Sequence, residues 1–165
     1  MADYTEEPQL KGVGGWLGFF VFILGIVSPA RMLFHASANI AEVDAAAHLL
    51  GPGTGTYVAI SWALIIVSAA GSVFMAYRLL AVHRWSSVVI AVIGLWCLAI
   101  LPTLVDLAVF AIMFPKFAGA AVPEALLSVG KSCISATVWT LYLAKSKRVA
   151  NTYAKDISET QRIFG

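Results

Sequence analysis

Two residues of opposite charge stand inside otherwise apolar stretches of this chain, Asp106 and Lys131. A carboxylate and an ammonium at one depth in hydrocarbon can form a structural ion pair that fixes helix register. They can instead line a polar cavity that binds a ligand or relays protons. An ionisable side chain in the membrane interior costs a few kcal/mol and is normally paired or facing water. A structural pair is the expectation, because one acid and one base neutralise each other, whereas a relay leaves a carboxylate free to load and release. Arg31, His35 and Glu124 fall nearer the same boundary and extend the candidate cluster.

Other chemistry is absent from the spacing. Gly51-Pro52-Gly53-Thr54-Gly55 carries no lysine and precedes an apolar run, so it is no phosphate loop. Cys97 and Cys133 show no CxxC spacing and have no accompanying histidines; they read as small packing residues. His35, His48 and His83 are scattered around run boundaries and form no metal-binding pattern. No catalytic residue, cofactor or metal site is expected, and a net charge of only +2 argues against a nucleic-acid partner.

The elements that must position Asp106 and Lys131 are four apolar runs, residues 16–34, 57–77, 88–114 and 122–144. Each is long enough, at ~1.5 Å per residue, to cross a ~30 Å hydrocarbon layer. With 60% hydrophobic and 12% charged residues, the chain reads as an all-α integral membrane protein. The predicted fold is one domain: an antiparallel bundle of four transmembrane helices over about 14–34, 57–77, 86–114 and 122–144. Counted from the ends of the apolar runs, Asp106 and Lys131 both lie about 12–13 Å from the same boundary, on consecutive helices. Gly14, Gly18 and Gly25, and again Ser68, Gly71 and Ser72, give small-residue faces on which a helix from this chain or a partner can seat closely. Pro29 is expected to kink the first helix or end its regular turn before Arg31, and the 27-residue third run to tilt, kink at Pro102 or project beyond the hydrocarbon.

Outside the runs lie a head (1–11), an outer loop (35–56) and a tail (145–165). Ile40, Val43, Ala47 and Leu50 recur at helical spacing, which predicts a short amphipathic helix over about 37–50 on the outer membrane face. Val149, Tyr153 and Ile157 predict a further helix in the tail, 146–163. Trp139 and Tyr142 followed by Lys145, Lys147 and Arg148 form an aromatic belt and then a cationic boundary. Those three cations can attract anionic lipid headgroups, each worth about 1 kcal/mol, or an acidic partner surface. Ala36-Ser37-Ala38 imitates a cleavage site, but the acidic head and the long first run argue against a signal peptide.

The ends of the chain carry a resemblance. Gly12-Val13-Gly14-Gly15-Trp16-Leu17 followed by Ser28-Pro29 resembles the opening of the bacterial membrane family known as domain of unknown function 2569. Trp139-x-x-Tyr142-x-x-x-Ser146-Lys147-Arg148-Val149-x-x-Thr152-Tyr153 is similar to its closing motif. The middle matches only in being hydrophobic, and Leu141 stands where members often carry proline. The resemblance implies a small polytopic protein of the bacterial inner membrane with four helices, and it supplies no activity, substrate or functional residue.

Two functional readings remain. One is a non-catalytic accessory or assembly subunit of a larger membrane complex, joined to partner subunits or to copies of itself. The other is a small transporter or ligand-binding protein that uses the Asp106–Lys131 region. Eight Lys and Arg (Lys11, Arg78, Arg84, Lys145, Lys147, Arg148, Lys155 and Arg162) lie on the side of the termini, against Arg31, Lys116 and Lys131 toward the other. This bias predicts cytoplasmic termini. Cysteine labelling is expected to find positions 84 and 147 reachable only from the cytoplasm and positions 44 and 116 only from outside; the reverse pattern at position 44 disproves the orientation.

Overall fold

The computed structural model describes residues 12–153. In chain order the elements are α1 (Gly15–Phe22), a π-helical turn (Ile23–Val27), α2 (Ser28–Ala45), α3 (Ala47–Leu50), α4 (Thr54–Ala81), α5 (Trp85–Met113), α6 (Ala118–Lys145) and α7 (Lys147–Thr152). α1, the π turn and α2 run on as one 31-residue helix. With α4, α5 and α6 it makes four helices long and apolar enough to cross a membrane, so this is an all-α, multi-pass membrane protein. Both ends of the described chain meet at one end of the bundle, here the terminal end; the α3–α4 and α5–α6 connections form the loop end.

Consecutive helices pack side by side, α2 and the π turn on α4, α4 on α5, and α5 on α6. The most deeply buried residues gather at the terminal end, where Leu17 and Phe20 meet Leu79, Leu143, Val149 and Tyr153. There the first helix also reaches the last: the rings of Phe20 and Trp139 are 4.6 Å apart. α6 is fully buried only at Ala136 and Leu143, both in its terminal half. The bundle is therefore tight at the terminal end and open toward the loop end.

Two local expectations meet the structure differently. The regular α-helical turn does end before Arg31, as a π turn, but the helix runs on past Pro29. The turn before it widens, so that the Ser28 N–H reaches back five residues to the Ile23 carbonyl, and Pro29 follows as the next residue of α2. That register strands the Leu24 carbonyl, since Ser28 is committed elsewhere and proline has no N–H. The Ser72 hydroxyl of α4 donates to it at 2.6 Å, from a fully buried position. Gly25 in the same turn lets α4 come close; a Cβ there would stand 3.2 Å from the Ala76 Cβ.

The second difference is the predicted outer-face helix over 37–50. The first helix continues unbroken to Ala45, and only Ala47–Leu50 form a separate turn before Gly51, at φ +91°, reverses the chain. The apolar spacing was real, but it serves packing: α2 lies along α4 and buries Ala36 and Ile40. In the tail, Lys147–Thr152 are helical as expected, and the remainder of the predicted tail helix lies outside the described residues.

The π turn generates a prediction. Ser72→Ala leaves a buried carbonyl without a donor, a loss of about 1–3 kcal/mol. Ser68→Ala removes a hydroxyl that only back-bonds to Leu64 within its own helix, so it is expected to cost little. Thermal unfolding of the two variants in detergent checks the contrast; equal losses disprove it.

Candidate functional site

Asp106 lies on α5, half-buried near the loop end, and its partners come from α4. The Tyr57 hydroxyl donates to its two carboxylate oxygens at 3.2 and 3.1 Å, and the Ser61 hydroxyl donates to one of them at 2.9 Å. Tyr57 and Ser61 are buried, one helical turn apart, and so present both hydroxyls to one face. Phe110 and Phe114 hold the Tyr57 ring edge-on, with centroids at 5.5 and 5.8 Å. The result is a carboxylate that accepts hydrogen bonds from two hydroxyls beside an aromatic wall.

Lys131 is not part of it. No ion pair joins Asp106 and Lys131 among the described residues; Lys131 is exposed on α6, as are Arg31 on α2 and Glu124 on α6. Two physical reasons separate the expected pair. Asp106 is seven residues from the end of α5 at Met113, whereas Lys131 is thirteen from the start of α6 at Ala118. At ~1.5 Å per residue their depths differ by about 9 Å. The hydropathic runs concealed this offset because α6 begins before its run does. Helical phase adds to it: Ala125, Val129 and Ala136 form the more buried stripe of α6, and Lys131, two residues from Val129, lies about 160° around the helix on the exposed side. Glu124 shares the Lys131 face, and His35 is exposed on α2 against the ring of Phe34.

A second cluster, which the sequence split between the two ends of the chain, forms at the terminal end. The Gly12 N–H donates to the Thr152 hydroxyl at 3.0 Å, and that hydroxyl donates to the Gly12 carbonyl at 3.4 Å. Arg148 lies over the glycine pair: a Cβ on Gly14 would stand 2.9 Å from its Nη1, and one on Gly15 3.2 Å. Gly15 also has φ +55°, where a side chain is strained, so the pair is there for both backbone geometry and close approach. α7 starts with a capped turn in which the Ser146 hydroxyl accepts from the Val149 N–H. It then delivers Tyr153, fully buried, whose hydroxyl donates to the Leu79 carbonyl at 2.7 Å while its ring stacks on His83.

The three cations expected to meet lipid are thus unequal. Lys145 and Lys147 are exposed, whereas Arg148 is half-buried against the glycines. Tyr57 and Ser61 escaped sequence reasoning, and Ser72 was read for its size and not its hydroxyl, because small and hydroxylated residues on α4 read equally well as a packing face; their spacing, with Ser68, along one stripe was the available signal. Among the described residues no three His, Cys, Asp or Glu side chains gather to hold a metal.

Burial, and after it the neighbouring Tyr142, push the Tyr153 phenol up to about 12 from an ordinary value near 10. A raised folded-state value means that the neutral phenol's contribution is fully present below about pH 10 and is lost as pH rises toward 12. Tyr153→Phe is therefore expected to lower stability by about 1 kcal/mol at neutral pH and to flatten the loss of stability between pH 10 and 12. Unfolding midpoints of parent and variant across that range check it; parallel curves disprove the assignment.

The profile of the family described as "Protein of unknown function (DUF2569)" matches residues 10–154, which takes in both members of the terminal junction and all four spans. No curated protein and no solved structure matches the chain. The two end motifs that carried the resemblance are, in three dimensions, one hydrogen-bonded unit, and the chain belongs to this family.

Proposed function

We propose that the protein is a non-catalytic accessory or assembly subunit of a larger membrane protein complex, and that its partner covers α6. The observation that carries this reading is a mismatch between composition and burial. α6 is the least apolar of the four spans, and the smallest share of it is buried within the chain. A helix left to lipid over most of its circumference is best when uniformly apolar, yet α6 exposes Glu124, Ser128, Lys131 and Ser135. Lys131 sits near the middle of this 28-residue helix, where an unpaired ammonium costs a few kcal/mol. An acceptor from a facing transmembrane helix relieves that cost. A two-fold pair of α6 helices would set Lys131 against its own copy, so charge favours a different chain over a homo-oligomer.

The resemblance and the charge bias support a bacterial inner-membrane location with cytoplasmic termini. Lys145 and Lys147, exposed beside the terminal junction, suit anionic lipid or an acidic partner surface. A second reading, a ligand-binding or transport protein, is favoured by the Asp106–Tyr57–Ser61 cradle, whose carboxylate has hydroxyl partners and no cation among the described residues.

Photo-crosslinking residues placed at Leu127, Ile134 and Val138 in cells test the proposal, with Val67 and Ile93 on a different face as controls. The α6 positions are expected to yield a discrete adduct with another protein, weakened about tenfold by Lys131→Met and restored by Lys131→Arg. An adduct of twice the chain's mass, or none specific to α6, overturns the reading.

A further inference from the structure

Between α4 and α5 lies a cavity of about 490 Å³ that none of the foregoing uses. Its α4 wall runs from Leu64 to Met75 through Ser68 and Gly71, and its α5 wall runs from Ile90 to Val105 past Gly94 and Cys97. The lining is apolar but for Ser68 and Cys97, and the Ser68 hydroxyl is already bonded to the Leu64 carbonyl. Leu64 to Met75 spans eleven residues, about 16 Å along the helix. That is close to half of a ~30 Å hydrocarbon layer, the thickness of one leaflet.

The same α4 stripe continues one turn beyond Phe74 and Met75 to Arg78, at the terminal end of the cavity. No carboxylate pairs with Arg78 among the described residues, and its buried Nε has no hydrogen-bond partner. Beside it Tyr77 is exposed, as suits an aromatic ring at the headgroup level. An apolar slot one leaflet deep, ending at a guanidinium that has no carboxylate partner among the described residues, matches the polarity of a phospholipid: hydrocarbon below and negative charge above.

We propose that the α4–α5 groove binds one acyl chain of an anionic phospholipid from the leaflet at the terminal end, with Arg78 holding the phosphate. Ser68, Gly71 and Gly94 keep the floor of the slot low. A Cβ on Gly71 would meet nothing within 4 Å, so a side chain there starts in the open space of the groove. Gly94 instead lies directly against Met75 and is unsuited to that test.

The full-length protein, stripped of lipid in mild detergent and titrated with phosphatidylglycerol or phosphatidylcholine, is read by native mass spectrometry. The parent is expected to bind one phosphatidylglycerol about fivefold more tightly than phosphatidylcholine, the ratio that one interfacial cation supplies. Arg78→Gln removes this preference by weakening phosphatidylglycerol more than phosphatidylcholine, while Gly71→Leu weakens both lipids at least fivefold with an unchanged unfolding midpoint. Cys97 lines the groove and is exposed, so bound lipid is also expected to slow its reaction with a membrane-permeant maleimide in a Cys133→Ser background. This measurement decides the matter should Gly71→Leu fail to fold. Lipid binding unaltered by Gly71→Leu, a headgroup preference that survives Arg78→Gln, or unprotected Cys97 at saturating lipid overturns the proposal.

Discussion

A carbonyl inside hydrocarbon has no water to turn to, so every interruption of a helix must be answered by a donor from elsewhere in the protein. Three such answers here come from side-chain hydroxyls, and each also joins two segments. Ser72 serves the Leu24 carbonyl stranded by the π turn and thereby fastens α4 to the first helix. Tyr153 serves the Leu79 carbonyl in the last turn of α4 and ties the C-terminal segment to it. Ser87, at the start of α5, serves the Val82 carbonyl in the turn between α4 and α5. Without a hydrophobic drive between helices in lipid, bonds that a helix cannot make for itself become the points at which helices are fixed to one another.

Charge follows a different rule in the two halves of the molecule. At the terminal end, Arg148 is drawn down onto a glycine surface and acts as a packing element as much as a cation. Toward the loop end the ionisable groups stay apart. Asp106 is satisfied by neutral hydroxyls, and Lys131, Glu124 and Arg31 stand on exposed faces. A chain that neutralised its own charges would have set Asp106 and Lys131 at one depth and one phase. This one leaves the α6 charges facing away from its own bundle.

The four spans were legible because length and apolarity alone define a membrane helix, and the positions of Gly15, Trp16 and Lys145 marked their terminal boundaries closely. Pairings were not legible. Asp106 was visible as an anomaly, but its partners Tyr57 and Ser61 look like ordinary members of an amphiphilic face, and Lys131 was set apart by its helical phase and by a helix start four residues earlier than its apolar run. The form of the interruption at Pro29 was hidden for a related reason. A proline's effect depends on whether a neighbouring helix offers a donor for the freed carbonyl, and Ser72 lies 48 positions away from Leu24. The end motifs were readable one by one; that they touch is a fact of topology.

The bond between Gly12 and Thr152 joins residues 140 positions apart. A ribosome delivers them in order, so Gly12 waits through the insertion of all four spans before its partner exists. Until then the glycine surface of the first helix has no Arg148 over it, and the carbonyl of Leu79 has no phenol. The last stretch of α7 to emerge is thus the keystone of the assembly. Membrane quality control that inspects the terminal end meets a bundle without these closing contacts until the segment through Tyr153 has emerged.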